Sequence, residues 1–163
     1  MSTFQMQEQR LDQWCWAAVA VSVTNYLKPN SAPSQDDLAA RALHVNGGCS
    51  GDSPPAVCDQ PFSLNQALNV LGRHAGDPII GSVSFEHVQQ TIDGGWPIPV
   101  RIVWDDNAGN AHFVVITGYT VSPSGGKFLQ VDDPFYGRSI VDYDTFVSDY
   151  HGSGRWERTY KLA

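Results

Sequence analysis

The sequence is poor in basic residues and contains no long hydrophobic run. Its 163 residues include ten Lys and Arg against seventeen Asp and Glu, which gives a net charge of −7. Binding to the phosphates of nucleic acid or to an anionic membrane surface requires clustered basic side chains, so this scarcity disfavours both partners. No stretch approaches the roughly 20 apolar residues of a transmembrane helix. We therefore expect a protein that binds neither nucleic acid nor membrane.

Targeting and cofactor motifs are also missing. The first residues, Met1–Gln5, lack the charged start and apolar core of a signal peptide. The Gly-rich pairs Gly47-Gly48 and Gly125-Gly126 match no phosphate-binding loop. Four residues of zinc-binding type lack the spacing of a zinc site: His44, Cys49, Cys58 and His74. We therefore expect neither a cofactor nor a bound metal.

Only three cysteines are present, and an odd number leaves at least one of them without a partner in the chain. Cys49 and Cys58 lie close together in a loop-like stretch, and a disulfide between them would leave Cys15 as a free thiol. Because disulfides persist mainly outside the cytosol, this pairing depends on the compartment, and the sequence leaves it open.

Composition and patterning predict one domain of the α+β class. The apolar fraction of 42% and the charged fraction of 17% argue against disorder, and 163 residues can bury one core. Residues to about 95 have the patterns of helices, whereas residues from about 96 to 163 have the patterns of strands. This order predicts a single domain over 1–163, with helices packed on an antiparallel sheet. We expect it to be a monomer.

Local signals set the predicted boundaries of these elements. An apolar helix over 15–27 ends before Pro29, and three further helices begin after serine N-caps at Ser34, Ser63 and Ser84. A Gly-, Ser- and Pro-rich loop covers 46–61. The predicted strands cover 97–104, 112–121, 128–131, 139–143 and 155–162, with a turn at 105–110 between the first two.

Cys15 lies in the run Trp14-Cys15-Trp16, at the predicted start of the first helix. Unpaired backbone N–H groups and the helix dipole at such a start favour the thiolate that a nucleophile requires. A free cysteine is also commonly a small buried hydrophobic residue, and this run alone does not separate the two interpretations. A nucleophilic role would require a base and a group that orients the base.

His112 and Asp133 are the candidates for the base and its orienting group. His112 opens an apolar strand, and Asp133 ends the next strand along the chain. Antiparallel neighbours bring the start of one strand next to the end of the other, so the two side chains can meet. A carboxylate there would fix the imidazole tautomer and stabilise its charged form. Asp132 points to the opposite face, so only one of the two acids can serve. Taken alone, His112 is also typical of an ordinary histidine in a strand, and Asp133 is also typical of a turn.

Several glutamines precede the cysteine, and a glutamine amide can stabilise the oxyanion that forms in acyl transfer. The backbone N–H of Cys15 at the helix start would be a second donor. The residues alone do not choose among the four glutamines, which are Gln5, Gln7, Gln9 and Gln13.

In this order, the motifs resemble those of papain-like cysteine peptidases, in particular the compact bacterial branch with the AvrRpt2-type and C39-like peptidases. That family places a glutamine six positions before the nucleophile and a tryptophan directly after it, as Gln9 and Trp16 stand around Cys15. Further motifs of the branch are similar to Gly94-Gly95-Trp96-Pro97, His112–Tyr119 and Asp133-Pro134. The resemblance covers about residues 5–146. It implies a papain-like fold, with the nucleophile on a helical part and His and Asp on a sheet part.

The resemblance also implies a role for each matching residue. Cys15 would be the nucleophile, His112 the general base and acid, Asp133 the orienting carboxylate and Gln9 the oxyanion donor. The substrate would be a protein or peptide, cleaved through a thioester intermediate.

One departure concerns the residues next to the nucleophile. The exporter-linked C39 type usually has Asp-Cys-Gly there, whereas this chain has Trp14-Cys15-Trp16, which favours a stand-alone peptidase. Both tryptophans are candidate substrate-binding residues: we expect Trp14 to face the cleft and Trp16 to pack behind the nucleophile. The 46–61 loop and the 104–110 turn are candidate cleft walls.

Two other functions use the same residues or the same fold. A deamidase, a transglutaminase-like enzyme or an isopeptidase of the deubiquitinase kind would form the same acyl-enzyme on a protein side chain. A non-catalytic binding module could have kept the peptidase fold. A secreted protein and an effector delivered into a host cell both fit the sequence, and we favour either over a cytoplasmic protein.

Overall fold

The computed structural model describes residues 3–105 and 111–163. Of the predicted turn at 105–110, only Asp105 lies within these ranges. In chain order the elements are α1 (Cys15–Leu27), α2 (Gln35–Leu43), a short 3₁₀ helix (Ala56–Cys58), α3 (Leu64–Val70), β1 (Ile79–Ile80), α4 (Phe85–Asp93), β2 (Ile98–Trp104), β3 (Ala111–Val121), β4 (Lys127–Asp133), β5 (Gly137–Asp142), α5 (Tyr143–Ser148) and β6 (Gly154–Thr159).

Serine caps and burial set where the helices begin. Ser34, Ser63 and Ser84 are confirmed as the N-caps of α2, α3 and α4, because each hydroxyl accepts a hydrogen bond from the backbone N–H three residues later. Helix α1 has no such side-chain cap, but ten of its thirteen residues are buried. Packing rather than capping therefore stabilises the helix that carries Cys15.

The six strands form one antiparallel sheet in the order β1-β6-β2-β3-β4-β5. Its two faces have separate cores, as the alternation along β3 shows. Phe113 and Val115 pack with residues of α1, α2 and α3, whereas Val114 and Ile116 pack with residues of α4 and α5. The predicted α+β class is confirmed, and helices cover both faces.

Two elements differ from the expected division into a helical part and a sheet part. The short strand β1 lies in the first part and pairs with β6. Helix α5 lies in the second part and begins at Tyr143, where a strand was expected to end. Asp142 caps this helix by accepting a hydrogen bond from the N–H of Thr145, which stops the strand there.

The loop at 46–61 contains a disulfide between Cys49 and Cys58, with Cα atoms 5.9 Å apart. Cys15 is left as a free cysteine. Closing a loop of this size lowers the conformational entropy of the unfolded chain, which stabilises the fold by about 2.7 kcal/mol. The loop also contacts the start of α1, because Asp59 accepts the backbone N–H of Gln13 at 2.9 Å.

No helix within residues 3–105 and 111–163 has the length and apolarity that crossing a membrane requires.

Candidate active site

Cys15 is the first residue of α1, and its side chain borders an open cavity. The first backbone N–H groups of a helix have no acceptor within the helix, so they are available to an oxygen placed beside Cys15. The residue is 8% exposed. It lines a cavity of about 360 Å³, through which a ligand can reach the sulfur.

The pairing of β3 with β4 brings His112 to Asp133. Asp132 stands opposite Val115, which places Asp133 toward the start of β3, where His112 lies. His112 Nε2 is 2.8 Å from Asp133 Oδ1. Because Nε2 is engaged, Nδ1 is the ring nitrogen left for Cys15, which lies near enough to His112 to raise the pKa of its imidazole. The imidazole therefore lies between the carboxylate and the thiol.

The surroundings of His112 favour its charged form. Burial disfavours an imidazolium and by itself would lower the pKa of His112. The hydrogen bond to Asp133 and the negative charge of that carboxylate, with a further contribution from the nearby Cys15, outweigh burial and raise the pKa of His112 to about 9. His112 is accordingly protonated at neutral pH.

Asp133 is held as a carboxylate by four hydrogen bonds. Besides the bond to His112, Oδ1 accepts the backbone N–H of Phe135 at 2.7 Å and of Tyr136 at 3.0 Å. The hydroxyl of Tyr150 donates to Oδ2 at 2.7 Å. Burial alone would raise the pKa of Asp133, but the bonds from His112, Tyr150 and Tyr136 and the charge of His112 lower it below its usual value.

Asp132 points away from His112, as its position next to Asp133 in the strand predicted. Its carboxylate accepts hydrogen bonds from the hydroxyl of Thr117 at 2.6 Å and from the guanidinium of Arg138. Arg138 also donates to the carbonyl of Phe4. Asp132 thus connects the sheet to the segment before α1.

The amide of Gln9 is oriented differently from the sequence expectation of a donor aimed at the reacting carbonyl. Gln9 Nε2 donates to the carbonyls of Asp12 at 2.8 Å and Leu11 at 3.2 Å, within the turn that leads into α1. Its Oε1 is buried and has no donor among residues 3–105 and 111–163. The backbone N–H of Gln9 donates to Pro134 and so ties this segment to the loop that holds Asp133.

Trp14 does not face the cleft, so this expectation is wrong. The residue is fully buried, and its indole N–H donates to the carbonyl of Cys58 at 2.6 Å, because the disulfide-closed loop covers it. Trp16 is also buried, and its indole N–H donates to the carbonyl of Gln60. Trp16 stacks obliquely on Phe62 and contributes to the lining of the cavity beside Cys15.

Three aromatic residues contact the His112–Asp133 pair; sequence reasoning missed Tyr136 and Tyr150, and it named Trp104 only as part of a candidate cleft wall. Tyr150 bonds Asp133, the ring of Trp104 stacks on the imidazole of His112 at 6.0 Å, and Tyr136 approaches that imidazole edge-on. A signal for Trp104 was present, since Ile102 in the same strand pairs with His112 and places Trp104 near it.

The fold resembles that of papain-like cysteine proteases. Among solved structures, the chain is similar to the bromelain protease from Ananas comosus, determined in complex with the E64 inhibitor. The identity is 14%, the match covers 98% of this chain and 93% of that chain, and the TM-score is 0.50. At this identity the likeness shows the fold.

The family follows from a separate comparison. The model of the Peptidase_C39 like family matches residues 1–163, and the chain belongs to that family. The protein is a cysteine-type peptidase with a papain-like fold. Comparison with curated proteins gives no match.

Proposed function

We propose that the protein is a cysteine endopeptidase that cleaves peptide bonds with Cys15 as nucleophile, His112 as general acid and base, and Asp133 as orienting carboxylate. One observation carries this proposal: His112 bonds Asp133 through one ring nitrogen and interacts with Cys15, which itself borders an open cavity. Those contacts supply a nucleophile, a base and an orienting group in series.

The reaction begins from the thiolate of Cys15 and the imidazolium of His112. The sulfur attacks the carbonyl carbon of the scissile peptide, and the carbonyl oxygen becomes an oxyanion. His112 gives its proton to the leaving amine as the C–N bond breaks, which leaves a thioester on Cys15. Neutral His112 then takes a proton from water, whose oxygen attacks the thioester and releases the acid product and the thiolate.

The oxyanion requires hydrogen-bond donors. The backbone N–H of Cys15 is one, since it lies at the start of α1. Gln9 becomes the second when substrate binds, by exchanging its longer bond, the 3.2 Å bond to Leu11, for the substrate oxygen.

The substrate is a protein or peptide, as for other peptidases. The open cavity beside Cys15 argues against a binding module with an occluded site. Deamidation or isopeptide cleavage would use the same thioester, so the products decide between them. Intact-mass analysis of a cleaved protein should give fragments, whereas deamidation would leave one chain heavier by about one dalton.

Alkylation by iodoacetamide tests the proposed ion pair directly. An ordinary thiol is less than about 1% thiolate at pH 6, because its pKa is near 8.5. Cys15 is the free cysteine of the chain, so mass analysis should find one added group, formed on the order of 10²-fold faster than on glutathione at pH 6. His112→Ala should slow labelling at pH 6 to the rate of glutathione and leave labelling at pH 9 fast.

The matched control is His87→Ala, at an exposed position of α4 away from the site. It should keep both the labelling rate and the cleavage of an unstructured protein such as casein, whereas Cys15→Ala and His112→Ala should abolish cleavage. Cleavage that survives in Cys15→Ala would sink the proposal. So would labelling at pH 6 no faster than that of glutathione.

A further inference from the structure

The cavity beside Cys15 has two arginines in its lining. Arg101 lies on β2 and Arg158 on β6, and both line the cavity that reaches the sulfur of Cys15. The antiparallel pairing of these strands sets the two residues directly opposite each other. Their side chains are 26% and 40% exposed, so solvent and ligands can reach both guanidinium groups.

One carboxylate partly balances these two charges. Glu157 accepts hydrogen bonds from Nη1 of Arg101 on both of its oxygens, each at 3.1 Å, and from Nε of Arg158 at 3.1 Å. Glu157 does not line the cavity. The three groups together carry a charge of about +1, in a protein whose net charge is −7.

Within residues 3–105 and 111–163, the bonds to Glu157 account for only some of the arginine donors. A guanidinium has five N–H groups in a planar fork, and the bonds to Glu157 occupy Nη1 of Arg101 and Nε of Arg158. The carboxylate also holds both guanidinium groups in place, so less side-chain freedom is lost when a second anion binds. The lining of the cavity within the described residues contains no Asp or Glu that would repel this anion.

The other walls fit the carbon stem of a side chain. Phe62, Phe113 and Tyr160 line the same cavity as Cys15 and the arginines. Its volume of about 360 Å³ is ample for one amino-acid side chain. A cavity with apolar walls and fixed cations suits a short carbon stem with an anionic end.

We propose that this cavity selects an acidic substrate side chain, Glu or Asp, close to the scissile bond, with Arg101 and Arg158 as the specificity-determining residues. The inference rests on the proposed peptidase function, because it treats Cys15 as the point of attack. Lys and Arg side chains are disfavoured in the same cavity by the net positive charge.

Peptides with acetylated and amidated ends test this preference, because their only carboxylates are on side chains. The series carries Glu, Gln or Lys in turn at each position around one scissile bond. At one position, kcat/KM for the Glu peptide should exceed that for the isosteric Gln peptide by about tenfold to a hundredfold, the range for a hydrogen bond to a charged group. The ratio should shrink at high salt.

Substitutions of arginines test which side chains cause the preference for Glu over Gln. Arg158→Gln should reduce the Glu-to-Gln ratio by tenfold or more, because kcat/KM falls further for the Glu peptide than for the Gln peptide. Arg158→Glu should make the Lys peptide better than the Glu peptide. The matched control is Arg155→Gln on the same strand, whose side chain is 53% exposed and lies outside the cavity lining. This control should keep the wild-type ratio.

Binding to the Cys15→Ala variant gives a second readout that needs no turnover. By calorimetry, the Glu peptide should bind this variant at least about tenfold tighter than the Gln peptide, and added Arg158→Gln should remove the difference. Cleavage with equal kcat/KM for Glu and Gln at every position would overturn the inference and leave the peptidase proposal standing. Selective binding without any cleavage would support the acidic preference and count against the peptidase proposal.

Discussion

Removal of one hydroxyl tests how the protein keeps Asp133 charged. Tyr150→Phe deletes the 2.7 Å bond to Asp133 Oδ2 and retains the aromatic ring. That ring packs against Phe146 at 5.1 Å and Trp104 at 6.3 Å, contacts that phenylalanine preserves. The substitution therefore isolates the hydrogen bond.

The size of the effect follows from the burial of both partners. The side chain of Asp133 is 0% exposed and Tyr150 is 1% exposed, so water does not readily replace the lost donor. A hydrogen bond to a charged group contributes about 1.5–3 kcal/mol, which for a domain of this size corresponds to a fall in Tm of about 4–9 °C. Oδ1 keeps its bonds to His112 and to two backbone N–H groups, so kcat/KM should stay within about tenfold of wild type.

The pH dependence of the stability loss tests whether the charge of Asp133 is its cause. The bond from Tyr150 helps to lower the pKa of Asp133 in the folded protein below its usual 3.8. Its contribution to stability is therefore fully present above pH 3.8 and is lost as pH falls through the lowered pKa. Urea unfolding followed by tryptophan fluorescence should show a larger loss in Tyr150→Phe at pH 7 than at a pH low enough to protonate Asp133 in the folded protein, with an unchanged m-value.

Tyr143→Phe is the matched control on α5. Its hydroxyl donates to the uncharged carbonyl of Val83, so its loss should cost about 0.5–1.5 kcal/mol at both pH values. The reasoning is refuted if Tyr150→Phe costs no more than Tyr143→Phe at pH 7, or if its cost is the same at both pH values.

Two further predictions concern the reaction. The kcat/KM of the wild type should fall as pH rises through about 9, because His112 then loses the proton that the leaving amine needs. Asp133→Asn should move this decrease in kcat/KM to lower pH, since the carboxylate raises the pKa of His112. If kcat/KM fell at the same pH in the wild type and in Asp133→Asn, this prediction would be contradicted. Gln9→Ala should lower kcat by about 10²–10³ with little change in KM, as expected for an oxyanion donor. A loss below tenfold would mean that the bonds to Leu11 and Asp12 persist during the reaction.

The elements that position the candidate site were largely predictable from local signals. Each of the three serine caps lies where its helix begins, because the cap bond spans only three residues. The approach of His112 and Asp133 was predictable because consecutive antiparallel strands leave few registers, and the apolar run of β3 fixes which residues face the core.

Side-chain directions and non-local contacts were not predictable in the same way. Whether Trp14 or Trp16 faces the cleft depends on the rotation of α1 and on the 46–61 loop, whose carbonyls accept both indole N–H groups. Arg101 and Arg158 meet because β6 returns beside β2, a strand order that no local pattern encodes. Tyr150 follows α5, whose aromatic and β-branched sequence is weak as a helix signal.

The charge balance of the site explains why it needs so many hydrogen bonds. A buried ion pair loses more on leaving water than its mutual attraction returns, unless further polar groups satisfy it. Here Asp133 has three donors besides His112, and two of them are backbone N–H groups that the turn after β4 fixes in place. The rigid sheet therefore holds the charged pair before substrate arrives, while Cys15 approaches from α1, which packs in a different core. A shift of α1 against the sheet would change the contact between Cys15 and His112 and leave the His112–Asp133 pair intact.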